Sequence, residues 1–186
     1  MMPRVTVLAT LHVVQGAEKR VGNVHDPMYV ALVDKLMASE SVDFIFEEAS
    51  GLGPTIAEKL ALEKLGFLRY LDIDPARGDR ADFGIPSNSS EPHMIGAPPS
   101  VAFANWQILD AHAKREEVWL RRIQQHKFQS ALAIVGLVHL LSFAFRLQAA
   151  NFSVQAINYA NWQRQPARRP DAGVFDENLR IFDWDE

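Results

Sequence analysis

The chain has 186 residues, 48% of them hydrophobic, which is enough for one well-filled domain and too few for two comfortable ones. A formal net charge of −4 argues against a dedicated nucleic-acid-binding protein, because such proteins usually carry a basic stripe. There is no cysteine, which excludes disulfides, thiolate metal sites and thiol nucleophiles, so any metal must be held by His, Asp, Glu or backbone oxygen.

The apolar segments are too short or too interrupted to enter a membrane. The first, Val5 to Val14, contains two threonines and His12 and lacks a convincing signal-peptidase site. The longest, Ala131 to Phe145, is shorter than the roughly 20 residues that a membrane helix needs. We therefore expect a soluble, cytoplasmic protein with no membrane partner.

The predicted strands and helices alternate along the chain. In order they are a strand at 5–11, a helix that starts at Asp26-Pro27, a strand at 43–48, a helix at 55–65, a strand at 67–73, a helix at 100–127, a strand at 131–135, a helix at 139–150 and a strand at 152–157. The strands are continuous apolar runs, which is typical of parallel strands buried on both faces. The pattern predicts an α/β fold: one three-layer domain with a mainly parallel five-stranded sheet covered by helices on both faces.

The predicted domain spans residues 1–160, and residues 161–186 form a C-terminal tail rich in Gln, Arg, Pro and Asp. Four large apolar residues are expected to pack the tail on a surface: Phe175, Leu179, Phe182 and Trp184. Three arginines precede its acidic end at Asp183–Glu186: Arg164, Arg168 and Arg169. We expect the tail to dock on its own domain or on a second copy of the chain, which would make a homodimer.

Ionisable residues lie at the carboxyl ends of the first four predicted strands. They are His12 at the end of the first strand, Glu47 and Glu48 at the end of the second, Asp72 and Asp74 at the end of the third, and His139 just after the fourth. Right-handed crossovers bring the carboxyl ends of parallel strands to one edge of a sheet, and such sheets bind ligands at that edge. We therefore expect these residues, distant in sequence, to converge there.

Each of these residues also has a structural explanation. A single histidine after a strand is more often a hydrogen-bonded structural residue, but two in equivalent places favour a functional role. A carboxylate that ends a buried strand is costly unless it is paired, hydrogen-bonded or metal-bound, and Glu47 and Glu48 could instead cap the next turn. Which of the two faces the cleft stays open, because adjacent strand residues face opposite ways. Asp72 and Asp74 either cap the following loop or act in catalysis.

Two further features border this edge. Residues 77–99 hold three of the ten glycines and four of the ten prolines, which predicts a long loop. We expect the loop to act as a lid over the cleft between His12 and His139, with His93 in reach when it is closed; the alternative is a loop without a role. On the long helix, His112 and Arg115 interrupt an apolar stripe, and Arg115 either pairs with a neighbouring acid or stabilises an anionic substrate or intermediate.

The turn after the second strand, "SGLGPTI", offers a nucleotide-binding alternative. Gly51 and Gly53 fit the first half of the G-x-G-x-x-G pattern, and Asp72 lies where a ribose-binding acid belongs. Ile56 replaces the third glycine, and two glutamates precede the turn that a phosphate must approach. A protein of this kind would bind NAD, NADP or ATP through Gly51-Leu-Gly53.

Four short motifs occur in the order "ATLH", "EE", "REEVWL" and "IVGLVH". Together they resemble the TraB/Tiki and erythromycin-esterase/ChaN-like superfamily, over about Val5 to Ile157, with Ala9 in place of a glycine. The resemblance implies a metal-dependent hydrolase or a metal- or haem-binding protein. It carries over four site positions: His12, Glu47 or Glu48, Arg115 and His139. Glu116 is a looser match beside the arginine.

The residues also support a concrete reaction. Two imidazoles and a carboxylate, from His12, Glu48 and His139, make a three-ligand site for zinc, manganese or iron with open positions. The metal would acidify a water and polarise a scissile carbonyl, with the second glutamate of the Glu47–Glu48 pair as general base and Arg115 stabilising the oxyanion. A metal-free version would share the acid and base roles between His and Glu. The expected substrate is a small molecule or a peptide, and the non-enzymatic alternative is a sheet edge that holds haem, iron or a partner protein.

Overall fold

A computed structural model of the chain describes residues 2–17, 26–39, 41–49, 53–65, 69–76, 78–85, 99–159 and 182–183. The strands are β1 (Arg4–Thr10), β2 (Phe44–Glu47), β3 (Tyr70–Asp72), β4 (Ser130–Gly136), β5 (Ser153–Asn158) and β6 (Phe182–Asp183). They form one sheet in the order β3-β2-β4-β1-β5-β6, in which β1 to β5 run parallel and β6 is antiparallel to β5. The helices are α1 (His12–Gln15), α2 (Pro27–Ser39), α3 (Ile56–Leu65), α4 (Pro99–Gln124) and α5 (Leu140–Ala149). The predicted α/β fold is confirmed.

Helices cover both faces of the sheet. On one face, Trp119 of α4 and Phe143 of α5 join a buried cluster with strand residues such as Val7. On the other face, Tyr29 of α2 joins a second cluster with strand residues such as Leu8. Because successive strand residues face opposite ways, a run without polar interruption fills both cores at once. The three-layer arrangement thus follows from the continuous apolar strands.

The carboxyl ends of three strands lie side by side. β1 and β4 pair in register up to Thr10 and Gly136. β2 pairs with the other side of β4, and the backbone N–H of Glu48, just past β2, donates to the carbonyl of Ile134 at 2.8 Å. The segments that leave β1, β2 and β4 therefore start next to one another, as the rule for parallel strands predicts.

Both histidines at this edge lie in helical turns. After β1 the chain passes through Leu11 directly into α1, so His12 begins a short helix. After β4 a 3₁₀ turn at Leu137–His139 precedes α5. The sequence pattern predicted a helix starting at His139 but none at His12, and the tight turns hold both rings close to the sheet.

Several predictions concern residues outside the described ranges. These include His93 with most of the predicted lid, Gly51 and Leu52 of the nucleotide turn, and residues 161–181 and 184–186 of the predicted tail. The described part of the loop contains a 3₁₀ turn at Arg80–Phe83, and the described part of the tail is β6. No helix within the described part of the chain is long and apolar enough to cross a membrane.

Candidate active site

A buried carboxylate, that of Glu48, lies at the centre of the cluster. Its Oε1 is 3.5 Å from Nε2 of His12 and 3.9 Å from Nε2 of His139, and it accepts a hydrogen bond from Nη2 of Arg115. Its Oε2 accepts a 2.7 Å hydrogen bond from the backbone N–H of Gly136. Four of the site positions predicted from sequence, at residues 12, 48, 115 and 139, are therefore in contact through one carboxylate.

The partners of Glu48 keep it ionised. Burial raises the pKa of this carboxyl, but the hydrogen bond with His12 and the charge of Arg115 outweigh burial and lower the pKa to about 2. A buried carboxylate is tolerated when several donors converge on it, and this one has a guanidinium, a backbone amide and two imidazoles around it. The site thus contains a permanent anion at neutral pH.

His12 is the accessible imidazole of the cluster, with 47% of its side chain exposed. Its Nδ1 lies 2.6 Å from Oε1 of Gln15, one turn along α1, and its Nε2 faces Glu48. The pKa of His12 is raised, because the hydrogen bond with Glu48 has a larger effect than the lowering by burial and by the Arg115 charge. A ring of this kind can exchange protons with a ligand near neutral pH.

His139 is buried and is fixed by one hydrogen bond and two ring contacts. Its Nδ1 lies 2.8 Å from Oε1 of Glu116, and its ring packs between Trp119 and His112, with ring centroids 4.7 and 4.6 Å away. Glu116 is anchored in turn by Nε of Arg146, which donates at 2.9 Å. Because only 1% of its side chain is exposed, His139 meets Glu48 rather than solvent.

Arg115 bridges two acids. Its Nε donates to Oδ1 of Asp74 at 2.9 Å while its Nη2 donates to Glu48. Asp74 also accepts hydrogen bonds from Nε1 of Trp119 at 3.1 Å and from Nη2 of Arg80 at 2.8 Å. Of the two roles considered for Arg115, pairing with neighbouring acids is therefore present, and the acids are those of the site itself.

Gly136 makes the close contact between β4 and the cluster possible. A Cβ at this position would lie 3.0 Å from Nε2 of His12 and 3.2 Å from Oε2 of Glu48. Both distances are shorter than ordinary van der Waals contact, so a side chain would push the two groups apart. The glycine that interrupts the apolar run is thus needed for space at the site.

Glu47 is not brought to this cluster, although it was predicted as a candidate base. It points to the opposite face, where its Oε2 accepts from Thr55 Oγ1 at 2.5 Å and from Tyr70 OH at 2.9 Å, and its Oε1 accepts from Gln15 Nε2 at 3.0 Å. Burial raises the pKa of Glu47 to about 7, because the effect of burial is larger than the lowering by these hydrogen bonds. Adjacent positions at a strand end face opposite ways, which decides between the two glutamates.

Asp72 and His112 lie beside the cluster and do not contact Glu48 in any described hydrogen bond or ion pair. Oδ1 of Asp72 accepts from the backbone N–H groups of Ala49 and Asp74 at 3.1 and 3.0 Å, which is the capping role. The ring of His112 packs against that of His139, and burial lowers the pKa of His112.

Sequence reasoning missed Gln15, Thr55 and Tyr70. The spacing of three residues between His12 and Gln15 would place them on one side of a helix, but this segment was expected to follow a strand into a loop. Tyr70 reaches Glu47 because β3 pairs with β2, and Thr55 reaches it from the start of α3; nothing in the local sequence indicates either contact. The missed residues thus depend on tertiary structure.

The donor chemistry of the cluster suits a divalent metal, because two imidazole Nε2 atoms face one carboxylate oxygen and each Nδ1 is anchored. That oxygen, however, already binds Arg115, and the second oxygen binds the N–H of Gly136. Among the described residues, no group of three or more His, Asp or Glu side chains is arranged to hold a metal ion. With Arg115 on Glu48, the residues do not fit a bound metal.

No family model, curated protein or solved structure matches the chain. The likeness to the TraB/Tiki and erythromycin-esterase/ChaN-like superfamily therefore rests on the sequence motifs alone. Any functional inference has to come from the geometry of the site.

Proposed function

We propose that the protein is a hydrolase that activates water at the His12–Glu48 pair, on a small-molecule or peptide substrate with a scissile carbonyl. The observation that carries the proposal is a half-exposed imidazole whose Nδ1 is anchored and whose Nε2 faces a buried, ionised carboxylate. A base, an orienting hydrogen bond and a fixed counter-charge are the parts that general base catalysis needs. The resemblance to the TraB/Tiki and erythromycin-esterase/ChaN-like superfamily implies a hydrolase that depends on a metal, so it supports hydrolysis but not the metal-free form of it.

In the proposed reaction, neutral His12 accepts a proton at Nε2 from a water molecule as the water oxygen bonds to the carbonyl carbon. The imidazolium then gives this proton to the leaving oxygen or nitrogen as the bond to that atom breaks. Glu48 stabilises the imidazolium, in keeping with the raised pKa of His12. The proton taken from water thus ends on the leaving group, and His12 returns to its neutral form.

The neighbouring residues hold the pair and supply positive charge. His139, which is held by Glu116, packs against Glu48 and limits its movement. Arg115 fixes the carboxylate of Glu48 through a hydrogen bond. Because Arg115 and His12 contact the same oxygen of Glu48, the guanidinium charge lies near the point where negative charge would develop on the carbonyl oxygen. This supports a role for Arg115 in the transition state.

A metal-dependent form of the same hydrolase is the second candidate. It is favoured by the two Nε2 atoms that face Oε1 of Glu48 at 3.5 and 3.9 Å. It would require Arg115 to withdraw from Glu48, after which zinc, manganese or iron could be held by His12, Glu48 and His139. Metal analysis of protein purified without a His tag, before and after chelation, separates the two forms.

The test is a panel of p-nitrophenyl esters, peptide amides and phosphoesters assayed with wild type, His12→Gln, Glu48→Gln and a matched control, His126→Gln. His126 packs on Phe44 near the amino ends of the strands, far from the cluster, so its replacement controls for loss of a histidine. We expect both site variants to lose about 100-fold or more in kcat/KM and the control to keep wild-type activity. Hydrolysis that persists in His12→Gln, or no hydrolysis of any panel member by wild type, would overturn the proposal.

A further inference from the structure

Behind His12 lies a chain of hydrogen bonds that the proposed reaction does not itself use. Nδ1 of His12 lies 2.6 Å from Oε1 of Gln15, and Nε2 of Gln15 donates to Oε1 of Glu47 at 3.0 Å. Gln15 and Glu47 are fully buried. The chain therefore connects the accessible imidazole to a carboxyl group on the opposite side of the sheet edge.

The orientation of the Gln15 amide is fixed by what surrounds it. Its NH₂ group also approaches the backbone carbonyl of Glu48 at 3.4 Å, and a carbonyl oxygen can only accept a hydrogen bond. The donor end must thus face Glu47 and this carbonyl whether or not Glu47 carries a proton. The acceptor end, Oε1, is left facing His12.

The amide in turn decides where His12 carries its proton. Because an amide oxygen cannot donate, Nδ1 of His12 must hold the hydrogen of the 2.6 Å bond. The neutral ring then keeps its lone pair on Nε2, the atom that faces Glu48 and that the proposed reaction needs as a base. The opposite tautomer would present an N–H where the proton must be accepted.

Further contacts keep Gln15 and Glu47 in place. Thr55 and Tyr70 donate to the second oxygen of Glu47. The backbone next to Gln15 is tied to the same region, because Gly16 forms a β-bridge with Thr55 and the N–H of Ala17 donates to Pro54 at 3.0 Å. The four-residue α1, which lacks a side-chain cap, is anchored by these contacts.

We propose that Gln15, oriented by Glu47, is a positioning residue that presets the Nδ1–H tautomer of His12. The catalytic consequence rests on the proposed hydrolase function, whereas the tautomer is a property of the folded protein and does not. The proposal assigns a role to a buried glutamine and to a buried glutamate, neither of which meets solvent or a ligand.

The test combines nuclear magnetic resonance with kinetics. In protein labelled with ¹⁵N-histidine, the pH is raised until the His12 resonances stop shifting, and the ring nitrogen shifts and long-range couplings then identify the tautomer of the neutral ring. His12→Gln assigns the resonance. We expect wild type to show Nδ1–H at His12 and Gln15→Met, which keeps the length of the side chain, to lose that preference.

Kinetics with the p-nitrophenyl ester that wild type cleaves fastest give the second measurement. We expect Gln15→Met to lower kcat by about 10-fold or more with KM nearly unchanged. Glu47→Gln, whose amide oxygen can still accept from Gln15, should keep the Nδ1–H tautomer of His12. The matched control, Gln125→Met in the exposed turn that follows α4, should change neither the tautomer nor kcat.

Two results would overturn the proposal. One is an Nε2–H tautomer of His12 in wild type, a measurement that does not depend on whether any variant folds. The other is an unchanged tautomer and an unchanged kcat in Gln15→Met. If wild type cleaves no ester but His12 shows the Nδ1–H form that Gln15→Met loses, the positioning role stands and the hydrolase function fails. The two proposals can thus be refuted separately.

Discussion

Glu47 and Glu48 are neighbours in sequence whose environments should give opposite pH dependence to the stability of the fold. Burial raises the pKa of Glu47 to about 7, so the folded protein binds a proton at this position more tightly than the unfolded chain does. The stability that comes from this carboxyl is complete below its ordinary pKa of 4.5 and is lost as the pH rises through about 7. The gap between these two values corresponds to about 3 kcal/mol in the free energy of unfolding.

Glu47→Gln removes the titrating group and keeps the size of the side chain. Its amide oxygen can accept from Gln15, and its NH₂ can donate to the hydroxyl oxygens of Thr55 and Tyr70. We expect the variant to match wild type near pH 4.5 and to be more stable by about 3 kcal/mol above pH 7. Urea unfolding followed by tryptophan fluorescence at a series of pH values measures the difference directly, because Trp119 is buried in the folded core.

Glu48→Gln supplies the comparison of opposite sign. Although burial opposes it, the pKa of Glu48 is lowered to about 2, so this carboxylate stabilises the fold above about pH 4.5 and that stability is lost as the pH falls through 2. This variant should therefore be less stable than wild type by about 3 kcal/mol at neutral pH, and the deficit should shrink towards pH 2. A difference between Glu47→Gln and wild type that stays constant from pH 4.5 to 8 would refute the reasoning for Glu47.

Three other predictions follow from the site and its support. The backbone angles of Gly136 (φ −64°, ψ 149°) suit alanine, so Gly136→Ala should lower the free energy of unfolding by only about 1–3 kcal/mol, measured by thermal unfolding followed by circular dichroism. The added Cβ should displace His12 and abolish most ester hydrolysis. Asp74→Asn leaves Arg115 with one charged partner fewer in a buried site and should lower the free energy of unfolding by about 3 kcal/mol, measured by urea titration. Asp26→Ala removes the cap of α2, whose backbone N–H at Met28 donates to Oδ1 at 3.0 Å, and the acceptor of the buried Tyr159 hydroxyl, which donates to Oδ2 at 2.6 Å; it should lower the free energy of unfolding by about 2–4 kcal/mol with no effect on activity.

The fold could be predicted because its signals are local. Apolar runs of the right length define the strands, and the Asp26-Pro27 pair marks the start of α2, where the aspartate caps the helix. The convergence of His12, Glu48 and His139 followed from the rule that parallel strands end at one edge. These inferences needed only the order of the elements.

The contacts that define each role could not be predicted in the same way. The choice between Glu47 and Glu48 depends on where β2 ends, and one residue of difference reverses the faces. Arg115 was left between two roles because its partners include Asp74, which is distant in sequence. Whether a carboxylate oxygen is open to a metal or already bound to a guanidinium is a question of atomic distances, on which the sequence pattern carries no information.

The place of β1 in the sheet has a consequence for synthesis on the ribosome. This first strand pairs on one side with residues 130–136 and on the other with residues 153–158, so both of its partners are made long after it. During translation the apolar side chains of β1 stay exposed and its backbone amides stay without strand partners until most of the polypeptide has emerged. This makes the nascent chain prone to association with other chains. His12 likewise meets Gly136 only after β4 has been made, so a chain truncated before β4 cannot form the site.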